Sequence, residues 1–289
     1  MKNILFVLFV LILAFSSKPQ HAVNWQNHTD MKQINSIYAL NGGVWAASNG
    51  GGFYYNHSLD SFQKLTKTDG LYSTSLTAIC EDQYGQIWFG SSNGSINIFN
   101  PATNSVQTVL DIYNSDRVNK QVNELRASGD TIFVSTEFGL SLMNAKSFTF
   151  YDTYYKFGNL SSNIRVVSSF KKNLIYAATE FGIAIQKEGA SNLSAPESWS
   201  IYNTSNGLPS NLIRKVNIFN DTLIAATDKG LSMFNGNTWQ TFIPSLSGVG
   251  IVDILVSNDS LFISHGSAIS VYYQGLTAPY FISPFEIKK

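Results

Sequence analysis

The chain has 289 residues, 19 basic and 19 acidic side chains, one cysteine and four histidines. The formal net charge of zero leaves no basic field to hold a nucleic acid, and a single cysteine permits neither an internal disulfide nor a multi-cysteine zinc site. Charged residues are 13% of the chain, about half the usual share, and the rest is rich in Gly, Ser, Asn, Thr, Tyr and Phe, a composition of strands and turns that argues against helical bundles.

Residues 1–22 read as a secretory signal peptide: Lys2, an apolar run from Ile4 to Phe15, then small residues at Ser16, Ser17 and Ala22. The run is too short to cross a bilayer as a helix, which needs roughly 20 residues. The expectation is an exported chain, in the periplasm or on the outer cell surface, with no transmembrane segment after processing. Cys80 lies in the alternating segment "LTAICED" and reads as a buried structural thiol.

From residue 23 onwards the sequence repeats. One short strand recurs as "VWAAS" at Val44, "IWFGS" at Ile87, "IFVST" at Ile132, "IYAAT" at Ile175, "LIAAT" at Leu223 and "LFISH" at Leu261, at intervals of 43, 45, 43, 48 and 38 residues. That period belongs to four-stranded propeller blades. Each unit has a first strand before the signature strand, joined to it by a turn of Gly, Asn or Asp, residues that tolerate positive φ. A second turn carries a glycine (Gly51, Gly94, Gly139, Gly182, Gly230), replaced by Ala268 in the sixth unit. A third apolar strand and a more polar, aromatic fourth strand complete the unit. Units this short cannot bury both faces alone and must stack.

The sequence therefore predicts an all-β fold, a single β-propeller over residues 23–289 with six visible blades, a seventh staying open. "NWQNHTD" from Asn24 resembles the fourth strands "SWSIYNT" and "TWQTFIP", with Trp25 in the place of Trp199 and Trp239. It is expected to supply the outer strand of the last blade and close the ring, leaving Tyr280, near two prolines, outside regular blade structure. If the segment around Tyr280 is used instead, the Trp25 strand belongs to a missing or additional blade.

No G-x-S-x-G elbow, H-E-x-x-H or Walker loop occurs, the histidines are scattered, and Glu81 and Asp82 are strand neighbours that point to opposite faces. No catalysis, cofactor or metal is expected. In a propeller the second turn and the link between blades share one face, around the channel mouth. There Glu137, Glu180 and Asp228 follow the signature Thr or Ser in consecutive units, Phe138 and Phe181 come next, and Arg165 and Arg214 open two first strands. These seven residues are the candidate ligand-binding set. They read either as local ion pairs, worth little when solvated, or as a polar ligand cup.

"GLYSTSLTAI" from Gly70, "NLSSNIRVV" from Asn159, "GLPSNLIRKV" from Gly207 and "EDQYGQIWFGSSNG" from Glu81 together resemble the two-component-regulator propeller repeat. The stretch from Trp25 to Phe242 is similar to the first propeller of PorZ-like proteins of the type IX secretion system. That resemblance implies a non-catalytic envelope protein whose partners are an anionic glycan such as lipopolysaccharide or proteins of the secretion system. PorZ-like proteins carry a second propeller and a C-terminal sandwich domain, so this chain is expected to be a fragment or a stand-alone relative. The alternative is a ligand-sensing periplasmic domain of a two-component hybrid sensor kinase. A third reading, a secreted polysaccharide-acting enzyme, would require turnover of a glycan.

Overall fold

A computed structural model describes residues 29–40 and 42–282. The expected signal peptide and the strand expected at Trp25 lie outside these residues. Blade 1 is β1 (Ile34–Leu40), β2 (Gly43–Ser48), β3 (Gly51–Asn56) and β4 (Ser61–Leu65); blade 2 is β5 (Leu76–Glu81), β6 (Ile87–Ser91), β7 (Ile96–Asn100) and β8 (Ser105–Val109). Blade 3 is β9 (Val122–Ser128), β10 (Thr131–Thr136), β11 (Gly139–Asn144) and β12 (Phe150–Tyr154); blade 4 is β13 (Val166–Lys171), β14 (Ile175–Thr179), β15 (Gly182–Gln186) and β16 (Trp199–Tyr202). Blade 5 is β17 (Ile213–Phe219), β18 (Thr222–Thr227), β19 (Gly230–Phe234) and β20 (Trp239–Phe242); blade 6 is β21 (Ile251–Ser257), β22 (Ser260–His265), β23 (Ala268–Tyr273) and β24 (Leu276–Ile282). Each blade is one antiparallel four-stranded sheet with its strands in chain order. Among the described residues no helix is long and apolar enough to cross a membrane.

Alternation along each strand sends side chains into two different cores. Trp88 and Phe89 are neighbours on β6, both fully buried. Trp88 packs with Leu125 and Val134 of blade 3, Phe89 with Trp45 and Ala47 of blade 1. Five such clusters fill the five interfaces between successive blades. Cys80 lies in one of them, buried, and burial pushes its thiol pKa far up, with Asp82 adding to the effect.

The recurring polar residues hold turns. The Ser48, Thr136, Thr179 and Thr227 hydroxyls donate to the carbonyls of Gly51, Gly139, Gly182 and Gly230 at 2.7–2.9 Å. These glycines have φ between 118° and 148°, and a Cβ on Gly182 would stand 2.3 Å from the Tyr202 carbonyl oxygen. The "GL" phrase caps single 3-10 turns, with Gly70 and Gly207 left-handed, and Leu71 and Leu208 enter the interblade cores. In blade 2 the Asp82 carboxylate accepts from the Tyr84 and Gln86 amides and from Trp88 Nε1 at 2.7–3.0 Å, tying the hairpin together.

One expectation is corrected. Tyr280 lies inside β24, which fills the fourth position of blade 6. Pro279 is tolerated there because β24 is an edge strand; it pairs with Ser270, and Tyr280 is the residue skipped where the register shifts between the Ile269 and Ser270 pairings.

Candidate functional site

Every inner strand carries a β-bulge at its second residue: Asn35, Thr77, Asn123, Val167, Arg214 and Val252 are skipped in the register. A bulge turns its side chain out of the ladder. Around the channel mouth these six residues form a ring. Asn35 donates to the Leu76 carbonyl, Thr77 to that of Val122 and Asn123 to that of Val166, at 2.6–2.9 Å, so each of the first three blades is pinned to the next. Arg214 holds the same place in blade 5, where it is exposed.

Strand register separates the two arginines expected at the mouth. Arg165 precedes Val166, the residue opposite Thr179, whereas Arg214 follows Ile213, the residue opposite Thr227. They are not register equivalents. Arg165 Nε lies 2.9 Å from Glu137 Oε1. Among the described residues Arg214 makes no ion pair. Glu180 is partly buried and Asp228 has one buried oxygen without a hydrogen-bond donor. The two phenylalanines also part. Phe138 is 6% exposed and belongs to the core between blades 2 and 3, while Phe181 is 51% exposed. The Arg117 guanidinium, absent from the expected set, lies 5.2 Å from the Phe138 ring and 4.3 Å from the Tyr155 ring. It also bonds Asn163.

Below the ring, two polar rungs join blade 3 to blade 5. Lys215 Nζ pairs with Glu124 Oε1, and the Ser169 amide donates to the other Glu124 oxygen at 2.9 Å. Burial pulls the Lys215 ammonium pKa down, but Glu124 and Asp253 outweigh it, so the pKa stands above the ordinary lysine value. Arg126 donates to Asn217 Oδ1 at 3.1 Å and lies 4.9 Å from the Phe170 ring. A cavity of about 790 Å³ adjoins these rungs, reaching Tyr38 and Glu81 on one side and Leu255 and Phe262 on the other. Burial and the neighbouring Asp82 raise the Glu81 pKa, and a hydrogen bond from Tyr38 draws it partly back. Among the described residues no cluster of His, Cys, Asp and Glu has a geometry for a metal ion.

The rungs were not legible in the sequence. Their partners stand 91 residues apart; only the polar residues in otherwise apolar inner strands signal them. Glu124, Arg126 and Lys215 break the apolar pattern at inner-strand positions of "VNELRAS" and "IRKVNIF".

The family model for "TSS9, PorZ, N-terminal beta-propeller domain" matches residues 44–200, more than half of the chain. Among solved structures, PorZ, described as an essential bacterial surface component of the type-IX secretion system of Porphyromonas gingivalis, superposes with a TM-score of 0.73 at 19% identity over 90% of this chain. The extracellular domain assigned to the hybrid two-component system BT4673 from B. thetaiotaomicron gives 0.61 at 13% identity over 87%. YCF48 bound to D1 peptide gives 0.61 at 10% identity over 89% of this chain and 85% of its own. At these identities the likenesses show the fold alone. The chain spans 34% of the solved PorZ and 44% of the BT4673 domain. No curated protein matches it.

Proposed function

The chain belongs to the PorZ N-terminal β-propeller family, and from that premise we propose that it is a non-catalytic binding and assembly module of the cell envelope, exported, which meets a polar partner at its channel mouth. The observation that carries this reading is the unequal engagement of the mouth residues. Glu137 holds Arg165, and Phe138 is packed away; Arg214 and Phe181 stay exposed on the same rim. A guanidinium fork and a flat apolar ring, both exposed, suit a carboxylate- or phosphate-bearing sugar. The nearby carboxylates, Glu180 and Asp228, favour ligands that also offer hydroxyl groups. Asp82 is occupied by its own hairpin, so it is not available as a glycosidase-type partner of Glu81.

The test is binding of purified envelope lipopolysaccharide to the wild type and to single variants. Arg214→Ala is expected to weaken binding at least tenfold and Arg165→Ala much less, with both variants keeping wild-type melting. Equal affinity of wild type and Arg214→Ala, or no binding by the wild type, removes the glycan reading and leaves protein docking. A second reading, the ligand-sensing domain of a hybrid sensor, is favoured by the likeness to the BT4673 extracellular domain. It requires the gene to continue into a membrane span and a kinase.

A further inference from the structure

Strand pairing sorts the inner-strand residues along the channel into register levels. Tyr38, Cys80, Arg126, Phe170, Asn217 and Leu255 share one level, each opposite the second residue of its signature strand. Glu124, Lys215 and Asp253 share the level two residues nearer the mouth. The two levels differ in how their charges are met. At the upper one, Lys215 pairs with Glu124, and the Ser169 amide donates to the other Glu124 oxygen at 2.9 Å. Asp253 Oδ1 accepts from the Ile254 amide at 2.8 Å, and its charge helps to keep Lys215 protonated. At the lower level Arg126 is the one charged residue, and its companions are neutral. It donates to Asn217 Oδ1 at 3.1 Å and lies 4.9 Å from the Phe170 ring, so the next two blades fix the guanidinium. Among the described residues it makes no ion pair, and Asn217 is its one hydrogen-bond acceptor. A guanidinium has five N–H donors. Arg126 and Asn217 both line the cavity of about 790 Å³, a volume within the range of small-molecule sites.

We propose that the channel is a binding site for a small organic acid with a single carboxylate, held by Arg126 and Asn217. The planar fork of Arg126 matches a carboxylate. Asn217 Oδ1 is taken by Arg126 and by the Ile218 amide, which leaves its Nδ2 group as a further donor. Glu124, Asp253 and Glu81 also line the cavity, and they oppose a second negative charge. That opposition selects a monoanion over a dianion such as phosphate. Ile79 and Ile254 add apolar wall for the body of the acid. The groups that hold the carboxylate stand on blades 3, 4 and 5, below the mouth, so the site does not depend on what Arg214 binds.

The experiment measures binding of hexanoate and phenylacetate to the full chain by calorimetry at pH 7. Both are expected to bind at millimolar concentration, phenylacetamide at least about tenfold more weakly, and succinate and inorganic phosphate not at all. Arg126→Gln is expected to lose at least about tenfold in affinity for both acids. Asn217→Asp places a carboxylate of the protein against Arg126. It is expected to abolish binding of both acids while raising the Tm by about 2–4 °C, an effect that loss of folding cannot imitate, and it decides the matter if Arg126→Gln does not fold. Arg214→Ala is expected to change nothing. The proposal is overturned if neither acid binds at millimolar concentration, or if phenylacetamide or succinate binds as tightly as phenylacetate. It is also overturned if folded Asn217→Asp binds the acids like the wild type, or if Arg214→Ala loses them, which gives the acids to the mouth.

Discussion

The interface between blades 2 and 3 and the seam between blades 6 and 1 are built from the same kinds of residue, and only one of them is a core. Trp88 and Phe262 hold one register position, yet Trp88 is fully buried beneath Leu125 and Val134 while Phe262 has Tyr280 beside it and a cavity in front. An apolar blade face is a property of its strand; burial is a property of the neighbour. Trp88→Ala should therefore cost about 4 kcal/mol, a large-to-small change in a closed core that also takes the indole donor from Asp82. Phe262→Ala should cost about 1 kcal/mol. Urea melts of the two variants compare them directly; equal losses would mean that the seam is closed in solution.

Polar groups follow the same logic. Glu124 and Lys215 are held on the closed side of the channel, where removal of one partner strands the other. Glu124→Ala should cost about 3 kcal/mol. The double change Glu124→Leu with Lys215→Met should recover only part of it, because apolar isosteres need no partner but the buried Ser169 amide still loses its acceptor. Chemical denaturation of the single and double variants provides the cycle.

A smaller effect separates closed blades from the last one. Gly182 has φ 123° and no room for a Cβ beneath the Tyr202 carbonyl, so Gly182→Ala should cost about 2 kcal/mol. Blade 6 already carries Ala268 at this turn, opposite Ile282 of an outer strand with its own register shift. Thermal melts of Gly182→Ala measure the difference.

Much of this architecture could be read from residues alone. The signature strands, the turn glycines and the Thr or Ser before them recur at one period because each meets the same local geometry, and the structure keeps them in that geometry. What escaped the reading depends on contacts across blades. The bulge at every inner strand has no residue signature: Asn, Thr, Val and Arg all occupy it, since what it needs is a position beside the next blade. Arg165 and Arg214 each follow an isoleucine in similar phrases, yet strand pairing sets them two residues apart in register. Phe138 and Phe181 occupy the same turn position, and the neighbouring elements cover one and not the other. Tyr280 falls inside a blade against expectation because Pro279 lies on an edge strand, where a missing donor costs little.

The pH response should be weaker still. Burial and Asp82 raise the Glu81 pKa, so the folded chain holds this proton more tightly than the unfolded one. The resulting stability is present below the ordinary glutamate value and is lost as pH rises through the raised folded pKa. Glu81→Gln should thus stabilise the protein slightly at pH 7, by about 0.5 kcal/mol or less given its partial exposure, and have no effect near pH 3. Melts at the two pH values show whether the sign is right.

The smallest expected effect is the most discriminating. Ile37 and Val216 occupy the same register position on the inner strands of blades 1 and 5, and each faces the blade before it. Val216 is fully buried between blades 4 and 5, so Val216→Ser loses apolar contacts and buries a hydroxyl, about 2–3 kcal/mol in all. Ile37 faces the open seam with most of its surface in water, and Ile37→Ser should stay within about 0.5 kcal/mol of wild type. The pair holds strand, register and face constant and varies the neighbour, with one methylene between Ile and Val, so the larger loss at the smaller residue measures what a covering blade contributes.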